Sequence, residues 1–198
     1  TMSDLSTRWL GIPLANPLIV GASRLTADMG VIKRIEAAGA GAIVTASLFE
    51  EQIELQNDLL EDFAMDYDSR EQPELSVHAG TSYAGPEEHL EWVKRAKRAV
   101  SIPLFASLNA RTHDVWLDWS ERLAETGVDG LELNLYATPC DPFVPGDRIE
   151  DEQVALVKEI CSRVSPLPVA VKMSPFSANP LNLASRLEGQ TKAYGVDV

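Results

Sequence analysis

Gly130-Leu-Glu-Leu-Asn-Leu-Tyr-Ala-Thr-Pro-Cys-Asp-Pro142 decides how this chain is read. Leu131, Leu133 and Leu135 fall on one face, Glu132, Asn134 and Tyr136 on the other, and the run then breaks at Pro139 and Pro142. Period-two alternation marks a strand. On an antiparallel surface strand the polar row would face water. If helices flank the strand in sequence, the leucines must face those helices and the polar row an enclosed interior. Buried polar groups need partners, so such a row marks a site.

Helices do flank it. Val115–Thr126 has helical spacing and ends at Gly127, and Asp151–Val164 follows the Pro-rich loop. Further out, short apolar strands alternate with helices. The strands are Leu18–Ala22, Ala42–Ala46, Leu104–Leu108 and Val169–Met173. The helices are Asp28–Ala38, a segment from Gly85-Pro-Glu-Glu to about Val100, and one beginning at Pro180–Glu188. This order predicts parallel βαβ units with helices covering the sheet. A repeat supports it. Asn16-Pro-Leu-Ile-Val, Ile102-Pro-Leu-Phe-Ala and Leu167-Pro-Val-Ala-Val each open a strand after a proline. Ala38-Gly-Ala-Gly-Ala-Ile, Thr126-Gly-Val-Asp-Gly-Leu and Tyr194-Gly-Val-Asp-Val each run from a helix end into a strand. The expectation is an α/β fold, a (β/α)8-type barrel truncated after about five βα units, since closure takes about 250 residues. Residues 1–198 read as one partial barrel domain, with an N-terminal hairpin over 1–17 and an acidic, solvated excursion over 50–84.

Composition narrows the function. The net charge of −13 disfavours nucleic acid, whose phosphates need a basic footprint. No apolar run approaches the roughly 18 residues of a membrane span, and the first residues lack signal-peptide character, so a cytoplasmic location is the default expectation. Cys140 and Cys161 make no disulfide framework, and Cys161 has core spacing. His78, His89 and His113 are scattered, which predicts solvated side chains and no metal.

In a barrel, alternate strand positions point inward and the site forms at the C-terminal strand ends. Taking bulky apolar residues as helix-facing, the inward set is Gly21 and Ser23, Thr45 and Ser47, Ser107 and Asn109, Glu132 and Asn134, Lys172 and Ser174. So many small or polar inward residues predict a ligand site for a small molecule. Two readings stand for Lys172. It either snorkels or pairs with Glu132, or it aims a cation at charge developing on a substrate or cofactor. Asn109 and Asn134 converging beside it favour the second.

Asn16-Pro-Leu-Ile-Val-Gly-Ala-Ser23, Leu131-Glu-Leu-Asn-Leu135 and Val169-Ala-Val-Lys-Met-Ser-Pro175 resemble the dihydroorotate dehydrogenase family. With Ser47-Leu-Phe-Glu-Glu-Gln-Ile53 and Gly85-Pro-Glu-Glu-His-Leu-Glu91, nearly the whole chain is similar to the dihydroorotate dehydrogenase-like group of FMN-dependent barrels, over about the first two-thirds of the family barrel. The resemblance implies an FMN-dependent oxidoreductase in the setting of pyrimidine biosynthesis, moving hydride from a small substrate to flavin N5. It implies that Gly21, Ala22, Ser23, Thr45, Asn109 and Asn134 lie along the flavin, with Lys172 at its pyrimidine edge.

The departures from the family lie on the substrate side. In the family, the loop after strand four carries a Cys or Ser that takes a proton from dihydroorotate; the matching place here is Ala137. Thr138 and Cys140 are the hydroxyl and thiol nearby, and with Lys172 they complete the candidate catalytic set. Ala46 stands where the family has a lysine, and Ser82-Tyr-Ala84 where it has a substrate-binding asparagine. A substrate other than, or broader than, dihydroorotate is expected. The alternative is a truncated, non-catalytic fragment that assembles with another chain. Open sheet edges also predict a homo-oligomer.

Overall fold

The computed structural model of the chain describes residues 4–56, 85–136, 141–174 and 177–191. Strands β1 (Thr7–Trp9) and β2 (Ile12–Leu14) pair antiparallel through a turn whose residues Leu10 and Gly11 have φ of 53° and 75°. The main sheet contains β3 (Ile19–Val20), β4 (Ala42–Val44), β5 (Leu48–Phe49), β6 (Leu104–Asn109), β7 (Gly130–Leu135) and β8 (Val169–Met173). Between them lie a 3-10 turn at Arg24–Ala27 and the helices α1 (Met29–Ala37), α2 (50–56), α3 (Pro86–Ala99), α4 (His113–Ala124) and α5 (Gly146–Val164), with α6 (Pro180–Thr191) last. The order β3-β4-β6-β7-β8 is parallel throughout, and the sheet curls into a half-barrel. Parallel neighbours in chain order with helical crossovers are the wall of a (β/α)8 barrel. The fold expected from sequence is present.

The alternation of β7 is resolved as its flanking helices require. Leu131, Leu133 and Leu135 are buried in the outer core with Leu104 and Leu108 of β6 and with Ile160 and Val157 of α5. Burial of each leucine contributes about 1.5–3 kcal/mol. The inner face has its own apolar floor. Trp9, Leu10 and Leu14 of the hairpin pack on Val44, Phe105 and Ala170, with the Trp9 and Phe105 rings 4.5 Å apart. Gly130 is required there, because a Cβ would lie 2.6 Å from the Phe105 ring.

Several boundaries differ from expectation. β3 is two residues rather than five, and Leu18 is exposed. Helix α5 starts at Gly146, five residues before Asp151. The prolines of the preceding loop hide its start, and Glu150 within it accepts the amides of Ala178 (3.0 Å) and Asn179 (3.4 Å) just ahead of α6. His89 is buried in α3, 6.2 Å from the Trp92 ring, rather than solvated, because it shares a helix face with Trp92, Val93 and Ala96. Burial pushes its pKa down to about 4, so it is neutral near pH 7. His78 and the final Gly-Val-Asp-Val repeat lie outside the described residues.

Glu50 also departs from the solvated reading of the acidic stretch. It is 1% exposed and caps α4 from outside that helix. Its carboxylate accepts the amides of Arg111 and Thr112 (3.0 Å) and the Thr112 hydroxyl (2.7 Å). Burial alone would raise its pKa, but those donors and the Arg111 charge outweigh it and hold the group below the ordinary carboxylate range. Arg111 in turn pairs with Glu54 (2.8 Å) and Glu51 (3.5 Å), tying α2 to the end of β6.

Candidate functional site

Two polar layers stand on the apolar floor. The pairings Ser107↔Glu132 and Glu132↔Ala170 define the lower one, and Asn134↔Lys172 belongs to the upper, which Asn109 extends from β6. Ala170 packs in the inner core, so Lys172, two residues on, shares its inward face. These rows form because β6, β7 and β8 keep strict alternation in one register.

In the lower layer, Ser107 donates to Glu132 Oε1 at 3.0 Å. The Ser47 and Ser107 hydroxyls share a hydrogen bond of 2.8 Å, and Ser47 must be its donor because the Ser107 proton is committed to Glu132. Ser47 arrives here through a shift in register. Val44 pairs with Phe105, but Leu48 pairs with Leu108, so three residues of one strand face two of the other. This is a β-bulge, and it restarts the alternation. Val44 therefore packs inside, although simple alternation would place it with the helices. Thr45 lies within the bulge, fully buried, its hydroxyl accepting the Ser107 amide at 3.3 Å.

In the upper layer, Asn109 donates from Nδ2 to the Asn134 carbonyl at 3.2 Å. Asn134 Oδ1 is buried and has no hydrogen-bond partner. Lys172 is exposed and makes no hydrogen bond or ion pair among the described residues, so the pairing with Glu132 is not formed. Gly21, Ala22 and Ser23 follow the end of β3. Gly21 is open to solvent with nothing within 4 Å of where a Cβ would sit, Ala22 packs on the inner core, and Ser23 caps the 3-10 turn. Thr138 and Cys140 lie outside the described residues.

Tyr136 leaves the inner row. Its amide bonds back to the Asn134 carbonyl at 2.8 Å, and the strand ends at Leu135. The ring instead lines a cleft of about 410 Å³ between α4 and α5 with Arg111, His113, Trp116 and Leu135, on the helix side of the wall. Alternation alone missed both this turn and the bulge, since each depends on hydrogen bonds at the ends of strands. Among the described residues there is no cluster of three or more metal-ligating side chains, and no helix is long and apolar enough to cross a membrane. Cys161 is a fully buried core residue whose thiol burial pushes up to about 11.

No protein-family model matches the chain. It is similar to the dihydroorotate dehydrogenase B (NAD(+)) catalytic subunit of Thermoplasma volcanium, 32% identical over 215 residues covering all of this chain and 65% of that one. It is 29% identical over 196 residues to the same-named subunit of Thermoplasma acidophilum, covering 94% of this chain and 60% of that one. The chain thus spans less than two-thirds of the length of these relatives. Among solved structures, a variant of NCR from Zymomonas mobilis matches with TM-score 0.51 at 15% identity, covering 95% of this chain and 66% of that one. DHDPS from Cyanidioschyzon merolae matches with TM-score 0.52 at 14% identity, covering 88% and 52%. These structures speak to the fold alone. Taken with the motifs at the ends of β3, β7 and β8, the curated matches support a dihydroorotate dehydrogenase-like family for this chain.

Proposed function

We propose that the chain is an FMN-dependent oxidoreductase whose substrate is not dihydroorotate. The observation that carries this is the upper layer: a buried acceptor on Asn134 and a Lys172 beside it, both without a partner among the described residues, at the C-terminal ends of parallel strands. A buried acceptor without a donor costs about 1–3 kcal/mol unless a ligand satisfies it. The residues fit a flavin's pyrimidine edge, which alternates N–H donors with carbonyl acceptors. Asn134 would accept, Lys172 and Asn109 would donate, and Gly21 to Ser23 would lie alongside, with Thr45 in the wall behind. Bound FMN would supply a two-electron acceptor, taking hydride at N5 from a reduced substrate carbon. Lys172 would hold the cation that meets negative charge at the N1–C2=O edge, the protein's main lever on flavin chemistry.

The substrate side supports a different reductant from the family's. Ala137 cannot take a proton, and of the candidate bases only Thr138 and Cys140 remain. The relatives' name, catalytic subunit, implies a companion subunit for them, and a separate acceptor that reoxidises the flavin is our reading for this chain. The other expectation, a non-catalytic fragment, gains no support from matches to catalytic subunits along the whole chain.

The test is the visible spectrum of the purified protein with and without added FMN, followed by anaerobic bleaching with candidate reductants. Stoichiometric yellow protein is expected, bleached slowly or not at all by dihydroorotate. Lys172→Met should slow bleaching by the true reductant about 10²–10³-fold. A colourless protein that takes up no FMN overturns the reading.

A further inference from the structure

Among the described residues, only two in the strands of the main sheet carry charge, Glu132 on β7 and Lys172 on β8. They share the inward face and are diagonal neighbours, Glu132 opposite Ala170 and Lys172 opposite Asn134. From strand rise and spacing their Cα atoms are about 8 Å apart, within reach of a lysine side chain. Yet no ion pair forms between them. The reason is visible in the lower layer, where Glu132 Oε1 accepts from Ser107, and Ser107 accepts from Ser47. The rim cation Arg111 is engaged by Glu51 and Glu54, so it does not compete for Glu132.

We propose that Glu132 is a positioning residue for the Lys172 cation. The Ser47–Ser107 hydroxyl chain anchors its carboxylate one layer down, so that it does not close onto Lys172 and the cation stays available to a ligand. The bulge that re-aims Ser47 exists, in this view, to complete the anchor. The inference rests on the flavin reading only for its second experimental arm.

Removing the negative charge and releasing it have opposite consequences. Glu132→Gln keeps the shape and the Ser107 contact but strips the counter-charge. Lys172 then presents its charge with no counter-charge one layer below. Ser107→Ala frees the carboxylate to swing up onto Lys172. The first arm uses the flavin-free chain: acetylation of Lys172 by acetic anhydride, read by mass spectrometry against exposed Lys33 and Lys158 as internal references. Ser107→Ala should slow Lys172 acetylation several-fold, and adding Glu132→Gln to that variant should restore the wild-type rate. The second arm measures the reduction potential of FMN-loaded protein. It should rise in Glu132→Gln, fall in Ser107→Ala, and respond to neither in a Lys172→Met background.

A merely structural role would shift the reduction potential of both variants in one direction, and Glu132→Gln would not restore acetylation in the Ser107→Ala background. Shifts of the same sign, or unchanged Lys172 acetylation, overturn the proposal. Failure to bind FMN would overturn the flavin reading and leave the acetylation arm to decide this one.

Discussion

Asn134 keeps a side-chain carbonyl in the interior with nothing to bond to, beside a lysine with the same freedom. Such a position trades stability for ligand recognition. Asn134→Leu is therefore expected to leave unfolding free energy unchanged or raise it by about 1–3 kcal/mol. The same change should weaken FMN binding about tenfold, the loss of one good hydrogen bond to a ligand. Urea melts of the flavin-free protein and an FMN titration measure the two halves. A strongly destabilised variant would mean that Asn134 is part of the scaffold instead. The polar character of this residue was legible from β7 alternation, whereas its lack of a partner depends on what β6 and β8 bring to either side.

At the scale of elements, the recurrent device is a carboxylate that reaches out of one element to satisfy the backbone of another. Glu36 of α1 accepts the Ser101 amide and hydroxyl, both at 2.6 Å, and Asp129 accepts the Leu104 amide at 2.7 Å and pairs with Lys97. Glu50 does the same for α4, whose own Thr112 makes no side-chain cap. Glu50→Gln should cost about 1–3 kcal/mol at neutral pH, where hydrogen bonds to a charged acceptor are lost. Because the folded-state pKa of Glu50 is lowered, its contribution is complete above its ordinary value of 4.5 and fades as pH falls through the folded value. Wild type and variant should therefore converge in stability below that window. Chemical melts at pH 7 and in acid check this. Buried His89 also loses stability between pH 6.5 and about 4, so the comparison must be wild type against variant rather than one protein across pH. A gap that persists undiminished in acid would remove the carboxylate from the explanation.

For the molecule as a whole, the described sheet has two free sides, β3 pairing only with β4 and β8 only with β7. Parallel edges that lack a strand partner favour association. We expect light scattering to give a mass of two or more chains, with dilution lowering stability because the covered edges contribute to it. A monodisperse monomer with concentration-independent melting would count against the homo-oligomer.

Strict alternation of Leu131–Leu135 and the helices on either side were enough to establish the parallel wall, because the apolar period is set by the local backbone and by which neighbours must be buried. The same alternation placed Asn109, Glu132, Asn134 and Lys172 on one face, since β6, β7 and β8 contain no interruption. Local pattern could not reach the bulge at Thr45–Ser47, the turn that swings Tyr136 out to the helix side, or the burial of His89 and Glu50. The bulge and the burial of Glu50 depend on pairing and hydrogen bonds between residues far apart in the chain, the Tyr136 turn on the bond from its amide to Asn134 where the strand ends, and the burial of His89 on what its helix face packs against. It is those contacts that anchor Glu132, keep it from pairing with Lys172, and give the inner face its two layers.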